Sequence, residues 1–125
     1  MNARRVLLVD DTPDVRALVR RALERSVDLR VVAEAGDGVA GIEAAREHLP
    51  DVVLLDIAMP VMDGLEALPF IRAAVPHATV IMLSGFGADR MAERAVGSGA
   101  DGYLQKGQPL KELVSRVQEL AAAQV

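Results

Sequence analysis

The chain has 125 residues, 51% of them hydrophobic, enough for one packed domain and too few for two. Its 14 Lys and Arg against 18 Asp and Glu leave a net charge of −4, and its three aromatics are Phe70, Phe86 and Tyr103. That balance argues against a non-specific nucleic-acid binder or a base-stacking platform, and the lack of cysteine excludes disulfides, thiolate metal sites and a cysteine nucleophile.

The first apolar run, Val6-Leu7-Leu8-Val9, stops at Asp10 and predicts a strand over 6–10. A helix follows, with Val15, Leu18, Val19, Ala22 and Leu23 at helical spacing. Thr12 is placed to cap it and Pro13 to occupy its first position. Arg16, Arg20, Arg21 and Arg25 read as its solvated face. The second strand is expected at 29–34 and its helix at 39–49. The third strand, 52–56, runs Val-Val-Leu-Leu and stops at Asp56. Asp63 and Glu66 have capping-box spacing before a helix at 64–75, where Pro69 predicts a kink or a late start. A fourth strand at 79–83, a helix at 88–97 and a weaker strand at 101–104 come next. Leu110, Leu113, Val114, Val117 and Leu120 form the last helix, with Pro109 near its start, and 121–125 reads as a fraying end or the start of a linker. His48 and His77 lack ligand spacing and read as surface residues.

The strands are nearly continuous in Val, Leu and Ile, as in a parallel sheet buried on both faces. Five βα units imply a doubly wound α/β domain spanning 1–125, and a barrel would need eight. The apolar runs are far shorter than the roughly 18 residues of a membrane span, and no signal peptide is recognisable. The expectation is a soluble, cytoplasmic protein.

A parallel sheet gathers its strand ends on one edge, where ligands of open α/β folds bind. Asp10 and Asp11 end the first strand, Asp56 the third, and Ser84 and Lys106 follow the fourth and fifth. Three carboxylates, a hydroxyl and an ammonium therefore converge. Clustered carboxylates repel, and a hard divalent cation such as Mg²⁺ relieves the repulsion. An aspartate can itself be a nucleophile and form an aspartyl phosphate.

Two other chemistries compete. Gly36, Gly38 and Gly41 spell G-x-G-x-x-G over 36–41, with Asp56 twenty residues after Gly36, as a dinucleotide site would require. The motif lies in the second βα unit, however, whereas a dinucleotide fold uses the first. An aspartyl-nucleophile phosphatase would want a second carboxylate two residues after Asp56, and Ala58 stands there.

The residues Asp10-Asp11, the run from Asp56 through Met59-Pro60 to Asp63-Gly64, Ser84-Gly85, and Gly102-Tyr103 through Lys106 occur in order, each at a strand end. In this the chain resembles the receiver domain of two-component response regulators from about Arg5 to Leu120, and most of all receivers of the nitrate-regulator (LuxR) class. The resemblance implies a flavodoxin-like (βα)5 fold of strand order 2-1-3-4-5. It implies phosphorylation of Asp56 by a histidine kinase or phosphotransfer protein, with Mg²⁺ held by Asp10, Asp11, Asp56 and the main-chain carbonyl of Ala58. Lys106 would pair with the phosphoryl group. Ser84 and Tyr103 would switch the surface of the fourth helix, fifth strand and fifth helix towards an effector or a second copy. The implied domain is not an enzyme beyond its own phosphoryl chemistry, contacts neither nucleic acid nor membrane directly, and stands here without an output domain. The arginines of the first helix would face the kinase.

Four departures from the family pattern stand out: Gly107 in place of a proline, Ser84 in place of threonine, Pro69 inside a helix, and apolar Ala58 and Phe86 beside the site. The last implies slow loss of phosphate, because neither residue can activate water.

Overall fold

The computed structural model describes residues 3–85, 97 and 99–123. Its elements are β1 (Arg4–Val9), α1 (Pro13–Glu24), β2 (Leu29–Ala35), α2 (Gly38–His48), β3 (Val52–Asp56), α3 (Gly64–Ala74), β4 (Thr79–Ser84), β5 (Gly102–Gln105) and a C-terminal helix (Leu110–Ala122). The five strands form one parallel sheet of order β2-β1-β3-β4-β5, the expected flavodoxin-like arrangement.

The continuous apolar strands serve two cores. Alternate side chains point to opposite faces of a strand. Leu7, Val9, Val53, Leu55, Val80 and Met82 thus lie in one core, under Ile42 and Ala45 of α2 and Ala67, Leu68 and Ile71 of α3. Val6, Leu8, Val52, Leu54, Ile81 and Leu83 lie in the other, under Val19 and Leu23 of α1 and Leu113, Val114 and Val117 of the C-terminal helix.

Several local expectations change. β2 reaches Ala35, and β5 starts at Gly102 because Asp101 serves as a side-chain anchor: its Oδ2 accepts the Val80 N–H at 2.8 Å. Thr12 precedes α1 in extended conformation without a side-chain cap. Its own N–H donates to Asp10 Oδ1 at 2.8 Å, and Pro13 opens the helix with no N–H to satisfy. α3 does not start late. It begins at Gly64, because the Asp63–Glu66 capping box secures its first turn, and it continues through Pro69 to Ala74. Phe86 and all but Gly97 of the helix expected at 88–97 lie outside the described residues.

Candidate functional site

Asp10 follows β1 and Asp56 ends the neighbouring β3, so parallel pairing places both at the carboxyl edge of the sheet. Both are buried, and Asp11 is exposed. One carboxylate oxygen from each of the three lies within 4.8 Å of the others. Lys106, just past β5, reaches into this group. Its main-chain N–H donates to the Ser84 carbonyl at 2.8 Å, which ties the loop to β4. Its Nζ lies 2.7 Å from Asp56 Oδ2 and 2.7 Å from Asp10 Oδ2. The Asp56 contact is a hydrogen bond; the Asp10 contact is an ion pair without hydrogen-bond direction.

Burial pushes the Asp56 carboxyl above its ordinary range. Lys106 pulls it back, Asp10 pushes it further up, and the net shift is upward. Burial alone would lower the Lys106 ammonium, but the attraction of Asp10 and Asp56 outweighs it and raises it. Among the described residues one ammonium therefore answers two of the three carboxylates. Asp11 makes no hydrogen bond or ion pair among the described residues, and Asp10 Oδ2 is a buried acceptor without a directed donor. An all-oxygen donor set with unused lone pairs and excess negative charge fits a hard divalent cation.

The loop after β3 closes the site from below. Ala58 is exposed, and its N–H lies 3.3 Å from Asp56 Oδ1. Gly64 must be glycine, since a Cβ there would lie 2.1 Å from the Asp56 carbonyl oxygen. Ser84 ends β4 and is buried. Tyr103 sits on β5 beside Met82, with its hydroxyl buried and without a hydrogen-bond partner among the described residues. The sheet thus brings together Asp10, Asp11, Asp56 and Lys106, with Ser84 at the neighbouring strand end. The peptide bond after Lys106 is trans, since no cis bond occurs among the described residues.

The glycine motif has a different use. Gly38 lies against Met62, whose carbonyl oxygen accepts the Gly38 N–H at 3.0 Å and would be 2.6 Å from an added Cβ. A Cβ on Gly41 would lie 3.1 Å from Val9. Asp37 caps α2 by accepting the Ala40 N–H at 2.8 Å. The donors a pyrophosphate would need are engaged, and a carboxylate occupies its place.

The α1 arginines are not a uniform solvated face. Arg21 and Arg25 are exposed, but Arg16 and Arg20 both bind Glu34 near the end of β2. Sequence patterning gave no sign of Glu34. A basic residue repeating at i, i+4 opposite an acid late in the next strand is the signal that could have found it.

The sequence matches the response regulator receiver domain family over residues 6–118. The chain belongs to that family. The receiver is 41% identical to a protein-glutamate methylesterase/protein-glutamine glutaminase of Azospirillum brasilense, over 95% of its own length and 33% of the relative's. It therefore spans about a third of that relative. It superposes on the receiver domain of the putative response regulator NarL from Mycobacterium tuberculosis with a TM-score of 0.90 and 37% identity, covering 98% of each chain. It also superposes, at 27% identity and a TM-score of 0.87, on a chain of the CheX-CheY-BeF3-Mg²⁺ complex from Borrelia burgdorferi, covering 94% of this chain and 88% of that one. The receiver is a module of two-component signal transduction. None of its described helices is long and apolar enough to cross a membrane.

Proposed function

We propose that this receiver accepts a phosphoryl group on Asp56 from a histidine kinase or phosphotransfer protein in the cytoplasm, in a Mg²⁺-dependent reaction. The observation that carries the reading is the buried Asp56 carboxylate, at a strand end, hydrogen-bonded at 2.7 Å to the ammonium of Lys106. Burial strips water from the nucleophile and raises its basicity. An Asp56 oxygen attacks phosphorus, and the P–O bond forms as the donor's P–N bond breaks. Lys106 is already within reach of that oxygen and follows the new negative charge. Asp10, Asp11, Asp56 and the Ala58 carbonyl are the residues that would hold Mg²⁺, which when bound neutralises charge on the transferred group. The chain of similar fold comes from a complex named as CheX-CheY with BeF3 and Mg²⁺.

The new group brings about −1.5 to −2 charges at pH 7. Ser84 and Tyr103 act as the switch pair, and the face that includes β5 and the C-terminal helix meets an effector or a second copy. Intact mass after incubation with acetyl phosphate and Mg²⁺ tests this. One phosphoryl group is expected on the wild type, and none without Mg²⁺ or on Asp56→Asn. An adduct that survives Asp56→Asn would move the acceptor elsewhere.

A further inference from the structure

We infer that Arg16 is a positioning residue for the cation site, acting through the peptide plane between Asp10 and Asp11; this rests on the Mg²⁺ reading above. Arg16 Nη1 donates to the Asp10 carbonyl oxygen at 2.5 Å, and its Nε donates to Glu34 Oε1 at 3.1 Å. Arg20, one turn later on α1, donates to the other Glu34 oxygen at 2.7 Å and to Glu24 at 3.1 Å. Glu34 is thereby held from two sides and fixes the Arg16 guanidinium over the end of β1. The guanidinium lies over Gly36, where an added Cβ would be in ordinary contact with Arg16 Nη1 at 3.5 Å.

The consequence is geometric. The Asp10 carbonyl belongs to the rigid peptide unit that leads into Asp11. The other polar groups of Asp10 are placed as well: its N–H donates to the Ala35 carbonyl at 3.0 Å, Oδ1 accepts the Thr12 N–H at 2.8 Å, and Oδ2, without a directed donor, lies 2.7 Å from the Lys106 ammonium. Asp11 has no partner of its own among the described residues, so its carboxylate direction depends on how this peptide unit is held. Arg16 is the side chain that holds it. The Arg16–Glu34–Arg20 cluster therefore orients a ligand it does not touch, as supporting shells do in metal sites.

The sign of one measurement separates this role from plain electrostatics. Removing a cation beside a carboxylate cluster tightens Mg²⁺ binding if only charge matters. Removing the support for Asp11 weakens it. Mg²⁺ affinity is read by calorimetry on the wild type, Arg16→Met, Arg16→Lys and Glu34→Gln, with a thermal melt of each. The expected result for Arg16→Met is a Kd raised about tenfold, at the lower end for lost supporting contacts. Arg16→Lys and Glu34→Gln, which keep part of the cluster, should give smaller increases and stand in if the methionine variant does not fold. At saturating Mg²⁺ the rate of phosphoryl acceptance should return to within about twofold of the wild type. An unchanged or tighter Kd across the variants overturns the inference, even with a lowered melting temperature. If the wild type itself binds no Mg²⁺, the cation site fails and the role of Arg16 fails with it.

Discussion

The two edges of the sheet handle charge in opposite ways. At the amino edge several charged side chains are hydrogen-bonded across elements. Arg4 donates to the Ala121 carbonyl, and Arg5 and Asp51 meet through the Arg5 N–H at 2.8 Å. Arg72 satisfies the carbonyls of Ala78 and Gly99 and the carboxylate of Asp101, at 2.6, 2.9 and 2.6 Å. At the carboxyl edge one lysine answers Asp10 and Asp56, Asp11 has no partner among the described residues, and the Tyr103 hydroxyl is buried without one. Among the described residues, the buried side-chain atoms without a hydrogen bond are Asp10 Oδ2 and the Tyr103 hydroxyl, and none lies among these amino-edge groups. Buried polar groups without partners cost free energy, so a deficit confined to one edge marks where a ligand completes the structure.

That contrast can be broken from either side. The largest effect is expected at the carboxyl edge, where Lys106→Met removes the only cation on Asp56 among the described residues. Phosphoryl acceptance from acetyl phosphate, followed by intact mass, should slow about a hundredfold, the usual scale for one lost electrostatic contact to a transition state. At the amino edge, Arg72→Met removes one partner of Asp101 and a donor to three carbonyls. It should cost about 2–3 kcal/mol in urea unfolding while leaving the rate of phosphoryl acceptance unchanged. A rate that fell with Arg72 would join the two edges into one functional unit.

A smaller effect of opposite sign belongs to Asp56 itself. Its folded pKa is raised, so the stabilisation from its protonation is full below the ordinary carboxylate value of about 3.9 and is lost as pH climbs through the higher folded value. At neutral pH without Mg²⁺ the ionised, buried carboxylate therefore weakens the fold. Asp56→Asn should stabilise the metal-free domain by about 1 kcal/mol at pH 7, and the advantage should shrink as pH approaches 4 in paired melting curves.

The smallest concerns the loop beneath the site. Val61 has φ +68° and is 83% exposed, and the Met62 N–H closes a three-residue turn onto the Pro60 carbonyl at 2.7 Å. A β-branched residue in the left-handed region is strained, by about 1–2 kcal/mol. Val61→Gly should recover about 0.5 kcal/mol after the greater freedom of glycine in the unfolded chain is allowed for, read as a small rise in urea midpoint. A loss would show that the Val61 side chain holds the loop.

The features legible in the sequence are those set by near neighbours. Apolar runs that stop at Asp10 and Asp56 mark buried strands and their ends, because side-chain alternation demands apolar residues on both faces. Parallel pairing then carries the strand ends to one edge, which is why Asp10, Asp11, Asp56, Ser84 and Lys106 could be assembled without coordinates. The Asp63–Glu66 cap is local for the same reason. What tertiary structure alone decided depends on approach through space. The α3 helix runs through Pro69, and its start is set by the cap and by the Gly64 N–H on the Ile57 carbonyl at 2.8 Å. The G-x-G-x-x-G glycines are spaced like a cofactor loop but are shaped by Met62 and Val9. Arg16 and Glu34, eighteen residues apart, meet only because α1 packs beside β2. Sequence spacing carries periodicity along a chain; the distance between two side chains on different elements exists only once the elements have packed.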